Sequence, residues 1–138
     1  YAAYFLGNQP KYVQSQLTYG VTGVDESDAI LLGYENGATA QIYSTIQANT
    51  HKEASILGTK GRIHIPLFSN AQSATIILDS GKERTLAEPY EINGFEYEIR
   101  EAVRCMKEGL VESPLMTWKD SIEIMGMIDH IFAANQLK

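Results

Sequence analysis

The chain predicts an α+β fold: an open, mostly antiparallel (mixed) β-sheet with helices packed on one face. Three observations lead there. Short segments between residues 12 and 87 alternate apolar and polar side chains with a period of two. Turn dipeptides, Asn36-Gly37 and Ser80-Gly81, separate several of them. From residue 93 the period changes to helical spacing and stays there. Strands in one run and helices in another are the pattern of α+β domains rather than of alternating βαβ units. With 138 residues, no internal repeat and no linker-like stretch, a single domain over 1–138 is expected.

The elements follow in order. "YAAYFLG" (1–7) is apolar from its first residue and ends in a glycine suited to a helix C-terminus. It reads as the last two turns of a helix, and the first residue is Tyr1 rather than Met, so an excised piece of a longer protein is expected. "YVQSQLTYG" (12–20) sets Val13, Ser15, Leu17 and Tyr19 against Gln14, Gln16 and Thr18, a half-buried strand. "ESDAILLGYENG" (26–37) is a second strand that closes in a hairpin turn at Asn36-Gly37. The next strand, 38–48, carries Ala38, Ala40, Ile42, Ser44 and Ile46 on one face, and Thr39, Gln41, Tyr43, Thr45 and Gln47 on the other. Further strands are read at 51–58, 62–65, 73–80 and 82–87.

Asn93 with Glu96 resembles a capping box, followed by Phe95, Ile99, Ala102, Val103, Met106 and Leu110 at helical spacing and a stop at Gly109. Thr117 with Asp120 is a second cap-like pair. It opens a second helical stripe of Trp118, Ile122, Met125, Ile128 and Phe132; core packing is expected for Trp118, with a place in a pocket lining as the alternative.

Composition narrows the function. Eleven basic and seventeen acidic residues give a net charge of −6, and the basic residues never form a stripe. A nucleic-acid partner needs a positive footprint and is not expected, nor is an anionic membrane surface. The apolar runs are far too short to cross a bilayer. A single cysteine, Cys105, points to a reducing compartment and a cytoplasmic location.

"GTKGRIHIP" (58–66) raises the question of a phosphate loop. Such a loop places its glycines between a strand and a helix. Here both flanks read as strand, so Gly58 and Gly61 are expected to supply positive φ in a hairpin with Thr59 and Lys60 at its tip; a backbone nest for an anion is the alternative. No dinucleotide or Walker fingerprint occurs. His51, His64 and His130 are too scattered for a metal site. Cys105 reads as a partly buried helix thiol, and Glu96, Glu98, Glu101 and Glu108 with Arg100, Arg104 and Lys107 as a solvated charged face.

Two longer motifs are more specific. "HKEASILGTKGRIHIP" is followed about 30 residues later by "GFEYEIREAVRCMKEGLVESPLMTWKDSIEIMGMIDHI". Together they resemble the C-terminal domain of the Gfo/Idh/MocA oxidoreductases, in the branch that looks like dimeric dihydrodiol dehydrogenase. The resemblance covers nearly the whole chain. It implies a sheet domain similar to the C-terminal domain of glyceraldehyde-3-phosphate dehydrogenase. It also implies a separate N-terminal Rossmann domain, absent from this chain, that binds NAD or NADP and carries a lysine in an E-K-P motif. The family's further catalytic Asp, His or Tyr would precede Tyr1. Residue by residue, no catalytic and no cofactor-binding position transfers to this chain, and no cofactor is expected in it alone.

The implied parent is an NAD(P)-dependent dehydrogenase or reductase acting on a sugar, polyol or dihydrodiol-type alcohol. This chain would shape its substrate pocket and its dimer contact, and would be inactive by itself. A non-catalytic binding or scaffolding module of the same fold is the alternative. The loop "PLFSNAQ" (66–72), with Phe68 and Asn70, is the candidate rim of the pocket for a small-molecule substrate; the bland reading is that Phe68 covers a sheet edge. The uncharged face of Thr39, Gln41, Tyr43, Thr45 and Gln47 is the candidate homodimer surface, because a solvated strand face would more often carry Lys and Glu.

Overall fold

The structure, a computed structural model, describes residues 1–135. Among the described residues the seven strands expected from the sequence are present, with three α-helices. They divide between two antiparallel sheets rather than forming one. The break falls after Thr45, where residues 46–53 form no strand. The described residues separate into two compact units, one of 1–49 with 112–135 and one of 50–111.

The first unit holds α1 (Ala2–Leu6), β1 (Tyr12–Tyr19), β2 (Asp25–Gly33), β3 (Thr39–Thr45) and α3 (Trp118–Ala134). The sheet runs β1-β2-β3, with Val13 opposite Leu32 and Leu32 opposite Ala40. The turn between β2 and β3 follows its sequence signal. Gly37 takes φ 83°, the Asn36 side chain accepts from the Ala38 N–H, and the Tyr34 N–H closes onto the Ala38 carbonyl. One face of the sheet builds the core. Leu17, Leu32 and Tyr34 pack with Met127 and Ile131 of α3, joined by Ala2, Ala3 and Leu6 of α1. Leu32 is wholly buried, worth about 1.5–3 kcal/mol for such a side chain.

The capping box at Thr117 and Asp120 forms as the sequence proposes, with both reciprocal bonds present. Neighbouring polar groups extend it. Asn8 donates to the Asp120 and Glu123 carboxylates, and Gln9 also donates to Glu123. These polar residues therefore share the inward side of α3 with Ile124, Met127 and Ile131.

The core packing expected of Trp118 is not seen. Trp118, Ile122, Met125 and Phe132 are exposed, Trp118 at 62%, with Ile128 at the margin. The helix is apolar on both sides, so helical spacing alone did not say which side meets the sheet.

The second unit holds β4 (Ala54–Gly58), β5 (Gly61–Ile65), a single 3-10 turn (Phe68–Asn70), β6 (Ser73–Leu78), β7 (Glu83–Ala87) and α2 (Phe95–Lys107). Its sheet runs β4-β5-β6-β7. Residues 58–61 form the hairpin between β4 and β5, with Gly58 opposite Gly61. Only Gly61 of that pair has positive φ, at 149°. The stronger demand is space: a Cβ on Gly61 would stand 2.3 Å from the Ile77 carbonyl oxygen of β6. The glycine at 61 thus lets β6 close against the hairpin.

α2 starts one residue later than its cap-like pair suggested, with Gly94 as N-cap at φ 96°. Asn93 instead accepts from the Phe95 N–H. The apolar stripe is present, yet Phe95, Ile99 and Met106 are exposed. Glu96, read from sequence as part of a solvated face, is 8% exposed, while Cys105 is buried rather than half-buried. Gly109, at φ 69°, follows the last turn as expected.

Candidate functional site

The face of the first sheet opposite the core is its most distinctive surface. Strand register sets four rows across it: Tyr12–Gly33–Thr39, Gln14–Leu31–Gln41, Gln16–Ala29–Tyr43 and Thr18–Ser27–Thr45. None of these positions is charged, in a chain where a fifth of the residues are. The middle rows enclose an open, shallow depression of about 670 Å³ lined by Gln14, Gln16, Ala29, Leu31, Gln41 and Tyr43, among others. Tyr43 is 60% exposed, and its hydroxyl accepts from Ser27 at 3.2 Å. The surface therefore offers three primary amides around an aromatic ring and a leucine.

Of the five residues proposed for this face, Thr39, Gln41 and Tyr43 lie on it exposed. Thr45 is half-buried, and its hydroxyl donates to the Glu26 carbonyl and accepts from the Gln47 N–H. Gln47 lies beyond the end of β3, with its amide on the Glu26 carboxylate. Gln14, Gln16, Ala29 and Leu31 were missed. The alternation of 12–20 had placed both glutamines on one side of β1, but pairing register was needed to bring them beside Gln41 and Tyr43.

Phe68 and Asn70 sit in the second unit, in the 3-10 turn after β5. Leu67 enters it at φ 50°, an uncommon left-handed conformation for a leucine. The Phe68 N–H bonds the Lys52 carbonyl at 2.7 Å, and the Asn70 N–H bonds the Leu67 carbonyl at 2.8 Å. Backbone bonds thus fix the loop while both side chains stay exposed.

Ionisable groups elsewhere serve the fold. The Glu96 carboxylate accepts the backbone N–H groups of Ile92, Asn93 and Gly94, at 2.9, 3.2 and 2.7 Å. Burial pushes its pKa up, but these donors outweigh burial and hold it at about 2. Arg104 bridges Glu101 and Glu108, and Arg100 pairs with Glu91. Two groups are exceptions: the Tyr34 hydroxyl, buried without a hydrogen-bond partner among the described residues, and Asp28, opposite Leu17 and Ser44. Its Oδ1 is buried without a hydrogen-bond partner among the described residues. Burial first, then the charge and hydrogen bond of Asp25, raise its pKa. Among the described residues no group of three or more His, Cys, Asp or Glu side chains could hold a metal ion. No helix there is long and apolar enough to cross a membrane.

Comparison with known proteins sets these surfaces in context. Residues 1–64 match the family of the GFO/IDH/MocA C-terminal domain. The trans-1,2-dihydrobenzene-1,2-diol dehydrogenase of Xenopus tropicalis is 36% identical over 133 residues, covering 91% of this chain and 40% of that enzyme.

The chain is similar to the GFO/IDH/MocA C-terminal domain family.

The relatives it matches include several trans-1,2-dihydrobenzene-1,2-diol dehydrogenases. The enzyme of the same name from Danio rerio is 30% identical over 131 residues. The D-xylose 1-dehydrogenase (NADP(+)) of Hypocrea jecorina is 29% identical over 133 residues, covering 84% of this chain and 34% of that enzyme. The fold of this chain also matches the aldose-aldose oxidoreductase of Caulobacter crescentus, with a TM-score of 0.81 at 21% identity over 98% of this chain and 42% of that one. The chain spans about two fifths of the length of the dihydrodiol dehydrogenases it matches.

Proposed function

We propose that this chain is the C-terminal, substrate-side domain of an NAD(P)-dependent oxidoreductase that oxidises or reduces a sugar, polyol or dihydrodiol-type alcohol. The observation that carries the reading is the 36% identity to a dihydrodiol dehydrogenase along 91% of the chain. The similarity to an NADP-dependent xylose dehydrogenase supports the choice of cofactor and the wider alcohol class. In this reading the nicotinamide is held by a separate N-terminal domain and supplies the hydride chemistry. The present chain contributes shape and contacts, binds no NAD(P) alone, and works in the cytoplasm. Phe68 and Asn70 lie at the rim of the substrate pocket, on a loop held firmly by its backbone bonds. The uncharged sheet face is the homodimer contact, because desolvating amides, a tyrosine and a leucine against a second copy leaves no unpaired charge.

The test is an assay of the longer protein that contains this chain. With NADP⁺ or NAD⁺ and a panel of trans-dihydrodiols, D-xylose and other aldoses, at least one pair should form reduced nicotinamide. Absence of turnover on the whole panel, together with no binding of either cofactor by calorimetry, would overturn the assignment.

A further inference from the structure

We draw no further inference here: the strongest candidate, the exposed apolar side of α3 formed by Trp118, Ile122, Met125 and Phe132, carries nothing because nothing in the structure shows what covers it.

Discussion

The backbone N–H of Leu17, on the outer edge of β1, donates to the side-chain oxygen of Asn135 at the end of α3, 2.7 Å away. Two positions earlier, the Ser15 hydroxyl donates to the Ile131 carbonyl. A helix end therefore supplies what a neighbouring strand would otherwise give to this edge.

Asn135→Ala should leave the Leu17 N–H unsatisfied beside a side chain that is only 5% exposed. A loss of about 1–3 kcal/mol is expected in urea unfolding. Asn135→Asp keeps an acceptor and should recover most of it. Equal stability of the alanine variant and the parent would show that the bond contributes nothing.

Glu96 gives a pH signature. Its pKa is about 2 in the folded chain against an ordinary 4.5, so the native state binds the proton less tightly than the unfolded state. The stabilisation it provides is complete above pH 4.5 and drains away as pH falls towards 2. Glu96→Gln should melt several degrees below the parent at neutral pH. The gap should close through that acidic window as the parent's own carboxylate is protonated. A gap independent of pH would mean that shape, not charge, holds the 92–94 loop.

For the sheet face, Tyr43→Lys combined with Thr45→Glu places two charges on a surface that has none. If a second copy covers it, their burial costs several kcal/mol when unpaired, enough to dissociate a micromolar dimer. Sedimentation should show a dimer for the parent and a monomer with unchanged circular dichroism for the variant. A parent that sediments as a monomer at high micromolar concentration removes the proposal.

Phe68→Ala tests the loop. Phe68 is 41% exposed, so its removal should change the melting temperature little. In the longer protein it should raise KM or lower kcat/KM by roughly tenfold, the loss of about 1.4 kcal/mol of contact. Unchanged kinetics with a large fall in melting temperature would make it a cover for the sheet edge.

Much of the architecture was legible because alternation and turn chemistry act locally. Asn36-Gly37 and Ser80-Gly81 were read correctly: Gly37 and Gly81 both have positive φ. What escaped depended on pairing between distant residues. Nothing in β3 or β4 announces that they belong to different sheets, since each reads as an ordinary strand. Trp118 was assigned inward because a large apolar residue at a helix start usually is, and Met127 and Ile131 on the other side give an equally good stripe. Glu96 reads from sequence both as a capping partner of Asn93 and as part of a charged face. The Asn93 N–H does donate to it, but the Ile92 and Gly94 bonds arise only once the 92–94 backbone folds around it. The candidate dimer face was half visible, as β3 alone; the glutamines of β1 join it only through the register of β2 between them.

The division into two units sets an order of assembly. Residues 50–111 are one continuous stretch whose sheet is built wholly from neighbouring hairpins. Such local pairing closes short loops and forms quickly. The other unit is stitched from both ends of the chain, and its β1–α3 bonds join residues 116 and 118 positions apart. On the ribosome, β1, β2 and β3 emerge before α3 and wait without the helix that covers them until it leaves the exit tunnel. The interval is when the apolar side of that sheet is most open to capture by chaperones.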